Sequence, residues 1–193
     1  MKNKTRCPWV PEDKDFYIRY HDEEWGVPMH DDQKIFEFLT LESAQAGLSW
    51  ETILKKREGY RKNFKNFDPK KVAKLTEVDI KKMLQDSSII RNRKKIEATI
   101  NNAKRFLEVQ KEFGSFDVYM WSFVGGKPMQ SKIKTSKDYP AVTKESEAFA
   151  KDLKKRGFKF LGPTTVYAHM QASGMVNDHA VDCFRYKEVK GLQ

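Results

Sequence analysis

Ile96, Ile100, Ala103 and Leu107 recur at the helical period within a run from about Arg91 to Phe113, and nowhere in the chain do Val, Ile and Thr alternate with polar residues as strands require. A long helix with one apolar stripe must bury it, and here the candidate partners are other helices. The fold class expected is therefore all-α, with about ten helices. A helix is expected from Lys14 to Glu24, with Asp13 or Asp15 near its start, and a second from Asp32 as cap to Ala46. Trp50–Arg57 and Glu58–Asn66 read as two helices parted at Gly59, and Asp68-Pro69 opens a further turn. Thr76 and Asp79 form a capping box for a helix through Leu84. After the long helix come Phe116–Phe123, a loop from Gly125 to Pro140, a helix over 143–156 and another between Gly162-Pro163 and Gly174. Asn177 should cap a last helical turn that carries His179 and Cys183. With no repeat, linker or low-complexity stretch, residues 1–193 are expected to form one domain.

Within this pattern Glu42 is out of place. Ile35, Phe38 and Leu39 lie seven, four and three positions before it, so the second helix sets a carboxylate in line with its own apolar stripe. A buried acid must be hydrogen-bonded, paired or kept for a ligand. Gly47, Leu48 and Trp50 follow at once and resemble the lip of a pocket. Trp9, Tyr17, Tyr20, Trp25 and Trp50 would form a stacking pocket around Glu42 if they converge, which is the residue set that reads a base taken out of a duplex. Any one of these Trp residues taken alone is better read as ordinary core.

The formal net charge of +10 favours polyanionic partners. Basic residues crowd between Lys55 and Lys74, and Arg91, Arg93, Lys94 and Lys95 open the long helix, where they oppose its dipole unless an external anion is present. The segment Leu84 to Ile96 resembles the turn of a helix-hairpin-helix over about 76–110, a phosphate-gripping device, with Ser88 where a tight-turn glycine is usual. Cys7 and Cys183 lie near opposite ends, and neither a signal peptide nor a long apolar run is present, so a reducing, cytoplasmic setting without a membrane span is expected. His179 and Cys183 at i and i+4 could share a metal, and Cys7 with His21 could complete a Cys2His2 set. Two inert thiols and two satisfied histidines are the alternative.

Taken in order, these stretches resemble the bacterial 3-methyladenine DNA glycosylase I family. They are Cys7 to Val10, YIRYHDEEWGVP from Tyr17, LESAQAGLSWETILKKRE from Leu41, FDPKKVA from Phe67, IIRNRKKI from Ile89, WSFV from Trp121, KKRGFKFLGPTTVY from Lys154, and GMVNDH with Cys183. The resemblance implies a helix-hairpin-helix glycosylase-like helical globule that hydrolyses the N-glycosidic bond of 3-methyladenine in double-stranded alkylated DNA. It implies Glu42 as the acid that reads the flipped base, with Trp9, Tyr17, Tyr20, Trp25 and Trp50 around it. It also implies a structural Zn2+ at Cys7, His21, His179 and Cys183 joining the two ends of the chain. Gly47 and Leu48 would face the gap in the duplex, while Ser88, Arg91, Arg93 and Lys94 would hold its backbone. A monomer without an organic cofactor is expected. No pocket lysine is assignable, so strand cleavage is not expected, and the wider superfamily's catalytic Asp has no counterpart here. A non-catalytic sensor of damaged DNA and a zinc-stapled interaction domain are the competing readings; neither needs a carboxylate among stacking rings.

Overall fold

The structure is a computed structural model that describes residues 4–192. Ten α-helices occur among them: α1 (Asp15–Glu23), α2 (Asp32–Gln45), α3 (Trp50–Asn63), α4 (Pro69–Val72), α5 (Glu77–Met83), α6 (Arg93–Phe113), α7 (Phe116–Ser122), α8 (Lys144–Lys155), α9 (Pro163–Ala172) and α10 (Phe184–Lys190). Every residue from Ile35 to Ala44 is buried, so α2 is covered on all sides and forms the axis of the molecule. Against it pack α3, α6, α7 and α9, while α8 lies along α9 and α1 along α3. None of the described helices is long and apolar enough to cross a membrane.

The all-α expectation holds, with local corrections. Two-residue strands β1 (Met129–Gln130) and β2 (Val176–Asn177) pair in parallel, too short to leave an alternating pattern in sequence. On α6 the buried stripe runs through Ile96, Ile100, Ala103, Phe106 and Val109, whereas Leu107 sits at its edge. The cap of α2 is Asp31, whose carboxylate accepts from the Lys34 amide. Asp32 instead accepts from the amides of Phe116 and Asp117 and from Gln110 Nε2, tying the start of α7 to α2. Lys14 precedes α1 without a side-chain cap, and Asp15 occupies the first turn.

Asn177 caps no helix. It lies in β2, donates to Gln130 Oε1 and Tyr186 O and accepts from the His179 amide, and these bonds hold residues 178–183 in an irregular path to α10. His179 and Cys183 therefore do not share a helix face.

Gly59 does not break α3, which continues to Asn63. Glycine is needed there for closeness: a Cβ would stand 2.2 Å from Ser88 O. Nor is Ser88 strained, since it is not among the non-glycine residues with positive φ, which are Lys65, Asn66, Phe67 and Phe160. Gly59→Ala should thus destabilise by roughly 1–3 kcal/mol through overpacking, although alanine ordinarily improves a helix interior by about 1 kcal/mol. A rise in the urea midpoint would show that the α5–α6 turn does not press on α3.

Candidate functional site

Four helices converge on a cavity of about 330 Å³. Helix α1 brings Tyr17 and Tyr20, α2 brings Glu42 and Gln45, α3 brings Trp50, and α9 brings Ala168 and Gln171; Trp9, Trp25 and the segment 136–140 complete the wall. All six residues singled out in sequence for the pocket line this space. Trp9 meets Trp25 edge to face at 4.8 Å between ring centroids, and Tyr20 lies between Phe38 and Trp50 at 6.4 and 5.5 Å. The wall is stiffened from behind by Arg57, whose Nη1 and Nη2 each donate at 2.8 Å to Glu24 just beyond α1, while its Nε reaches Glu37 on α2 at 2.8 Å.

Three polar atoms of this wall are buried without any partner: Glu42 Oε2, Trp50 Nε1 and Tyr139 OH. Native cores almost always satisfy such groups, so orphaned donors and an acceptor around one cavity mark a ligand site. Glu42 is 3% exposed, and desolvation pushes its carboxyl up from 4.5 to about 8. Burial therefore favours its neutral acid form at neutral pH, where the sequence had suggested a carboxylate.

Gln45, Ser136, Tyr139, Pro140, Ala168 and Gln171 also line the cavity and were not anticipated. Gln45 was open to inference, three residues after Glu42 on the same helix. The long loop 125–140 was itself a signal of function, but its contact with the pocket is non-local and leaves no trace in sequence.

Behind Trp9 and Trp25 lies the Cys/His cluster. Metal-binding atoms of Cys7, His21, His179 and Cys183 all lie within 4.8 Å of one another, and all four residues are buried. The Sγ–N distances are 3.5 Å for Cys7–His179, 3.5 Å for Cys183–His21 and 3.7 Å for Cys183–His179. A tetrahedron with metal–sulfur bonds of about 2.3 Å and metal–nitrogen bonds of about 2.0 Å has sulfur–nitrogen edges of about 3.5 Å, so the cluster fits one metal ion. The outer nitrogens agree. His21 Nδ1 donates to Asp22 Oδ1 at 2.8 Å, with Asp22 gripped in turn by Arg6, and His179 Nε2 donates to Trp25 O at 3.0 Å. Each ring thereby keeps its proton away from the cluster and leaves a lone pair facing in. A hydrogen bond from the Cys7 thiol holds the Cys183 thiol far below its usual range. Gly26, with φ +78°, passes close enough that a Cβ would meet His179 Nε2 at 2.9 Å.

A second cavity of about 280 Å³ adjoins the first; Glu42, Gln45 and Ala168 line both, and Gly47, Leu48, Thr164 and Thr165 form its outer rim. Leu48 projects there, 40% exposed. Lys95 Nζ donates to Ala44 O and Ala46 O at 2.7 Å, which fixes the start of α6 beside this rim with Arg91 and Lys94 exposed. Arg93 is engaged by Glu77 and Glu97. In the cluster from Lys55 to Lys74, Arg57 and Arg61 turn inward to Glu37, so that run is partly an internal ion network. In the α5–α6 turn the Ser88 amide is used by Asp86, and Lys56 holds Ser87 O. The amides of Ser87, Arg91, Arg93 and Lys94 have no acceptor among the described residues. In the α8–α9 turn Asn102 fixes Lys159 through two hydrogen bonds, and the amides of Phe160, Leu161, Gly162, Thr164 and Thr165 likewise have none.

Comparison with known proteins gives a consistent likeness. The family model described as methyladenine glycosylase matches residues 9–186. The chain is 52% identical over 179 residues to the DNA-3-methyladenine glycosylase of Haemophilus influenzae, covering 93% of this chain and 96% of that protein. A crystal structure of 3-methyladenine DNA glycosylase I superposes with a TM-score of 0.90 at 49% identity, covering 93% of this chain and 98% of the other. A second such structure, a variant in complex with 3-methyladenine, gives a TM-score of 0.90 at 40% identity over 93% of this chain and 96% of its own.

Proposed function

This chain belongs to the methyladenine glycosylase family, and from that membership and the pocket we propose that it is a DNA-3-methyladenine glycosylase: a monofunctional hydrolase of the N-glycosidic bond in double-stranded alkylated DNA. The observation that carries the reading is Glu42, buried in an aromatic cavity with Oε2 unpartnered. The flipped base enters between Trp9, Tyr17, Tyr20, Trp25 and Trp50, which favour a cation on their faces. The 3-methyladenine nucleoside is cationic, and its charge lowers the Glu42 pKa, so binding drives out the proton and leaves a carboxylate facing the base. Neutral adenine supplies no such charge. The C1′–N9 bond then breaks with its electron pair going to the base, which departs neutral. Water adds through oxygen to C1′ and loses a proton to solvent.

Leu48, with Gly47, is placed to occupy the gap that the flipped nucleotide leaves. Arg91 and Lys94, with Arg93 where its acidic partners yield, attract backbone phosphate. The free amides of Phe160, Leu161, Gly162, Thr164 and Thr165, gathered within one turn, are the better phosphate grip, because the α5–α6 turn commits Ser88 and leaves free only the separated amides of Ser87, Arg91, Arg93 and Lys94. The helix-hairpin-helix proposed here is thus α8–α9 rather than the segment 76–110, within one glycosylase domain acting as a cytoplasmic monomer. Cys7, His21, His179 and Cys183 hold zinc, which serves as a cross-link between the ends of the chain and supplies no step of the reaction.

The test is release of radiolabelled base from methylated duplex DNA. Wild type should release 3-methyladenine, and Trp50→Ala should fall by about tenfold or more through lost stacking, worth about 1–3 kcal/mol per base. Binding to duplex DNA should weaken steeply with salt. Binding without release would make the chain a damage sensor, and no affinity for DNA would leave only the interaction-domain reading.

A further inference from the structure

Gln171 lines the base cavity from α9, the helix packed beside the one that supplies Glu42. Its Nε2 donates to Asp178 Oδ2 at 2.8 Å, and the same oxygen accepts from Tyr167 OH at 2.6 Å. Asp178 is fully buried, and its Oδ1 has no partner. A side-chain amide can ordinarily turn over and exchange its donor for its acceptor. Here the reversed amide would set Oε1 against Oδ2, an oxygen that already accepts from the Tyr167 hydroxyl. Asp178 is in turn held by Tyr167, one helical turn before Gln171, so the carboxylate and the amide are fixed by the same helix. No donor among the described residues reaches Gln171 Oε1. Gln171 Oε1 is therefore an unpaired acceptor of settled identity on a residue that lines the cavity.

We infer that Gln171 is a specificity-determining residue, with Asp178 as its positioning residue, and that its acceptor selects bases carrying an amino group at C6 over bases carrying an oxo group there. The inference rests on the glycosylase reading. In a 3-methyladenine nucleoside N3 carries the methyl group, N9 the sugar, and N1 and N7 are acceptors; the 6-amino group is the one N–H donor that the ring system has. An acceptor in the pocket can pair with nothing else of that strength. A 6-oxo base would face it with a second acceptor, and a buried polar group left unpaired is costly.

The experiment titrates purified protein with two free 3-methylpurines, 3-methyladenine with its 6-amino group and 3-methylhypoxanthine with a 6-oxo group and a ring N–H, following tryptophan fluorescence. Wild type should prefer the amino base by at least roughly tenfold, and Gln171→Met, which keeps length and removes the acceptor, should lose about tenfold of that preference. Asp178→Ala should lose preference in the presence of Gln171 and change it no further in the Gln171→Met background, which a merely structural residue would not do. If Asp178→Ala fails to fold, the Gln171→Met titration decides alone. Equal loss of affinity for both bases in Gln171→Met, or an unchanged preference, overturns the inference. Base release by wild type from methylated DNA is measured beside it: release without C6 preference overturns this inference alone, and C6 preference without release overturns the enzymatic reading alone.

Discussion

Glu42→Gln is expected to do two opposite things, to slow base release and to stabilise the folded protein at alkaline pH. The free acid titrates near 4.5 when solvated and near 8 in the fold. Between those values the native protein holds a proton that the unfolded chain has lost, so wild-type stability falls as pH rises from 5 to 8 and is flat beyond. The full penalty is on the order of several kcal/mol at pH 8.5, and Gln, which has no proton to retain, should escape it. Denaturant midpoints for the two proteins should nearly coincide at pH 5 and separate steadily up to pH 8, with Gln the more stable. In activity, loss of a charge-assisted contact to the cationic base predicts a fall of about tenfold to a hundredfold. The kcat/KM of wild type should rise toward pH 8, reporting the free enzyme, while kcat should level off at lower pH because the bound cation depresses the same pKa. Coincident pH profiles for Gln and wild type would remove Glu42 from the base contact.

What was legible beforehand follows from how local each feature is. Glu42 could be read because a charge on a helix stripe is visible within eight residues, and its burial among Ile35, Phe38 and Leu39 is borne out. Helix ends with local caps, such as Asp68, Thr76 and Thr143, were equally open. Gly59 misled because its purpose is a contact with Ser88, 29 positions away, rather than a local break. His179 and Cys183 show a different failure: they meet as the i and i+4 spacing required, but Asn177 and its partners place them on an irregular segment. Gln171 and Tyr139 carried no signal, since a polar residue near a cavity looks the same in sequence as one in solvent. The tie between Arg57, Glu24 and Glu37 was hidden for a further reason, because a run of basic residues reads as a surface until the acids that meet it are known.

Removing the proposed metal should have an effect as large as any mutation, because the four ligands gather three separate parts of the chain. Cys7 belongs to the N-terminal arm, His21 to α1, and His179 and Cys183 to the approach to α10. Without the ion these parts still share the Arg6–Asp22 ion pair and the bonds from Phe184 N to Thr5 O and from Ala180 N to Cys7 Sγ. Those are modest, and two buried thiols with two imidazoles are a poor substitute for four metal bonds. Metal analysis of purified protein should find about one equivalent of zinc, and chelation should lower stability by at least several kcal/mol, restored on adding zinc back. The loss should also reach the base pocket. Trp9 lies two residues after Cys7 and touches both His21 and Trp25, and Trp25 stacks edge to face on His179 at 4.7 Å between centroids. Affinity for 3-methyladenine should therefore fall on chelation before the protein unfolds, while an α6 probe such as hydrogen exchange at Ala103 remains protected. A metal-free preparation as stable as the metal-loaded one, or Cys7→Ser with unchanged zinc content, would mean that the cluster holds the chain ends by packing alone.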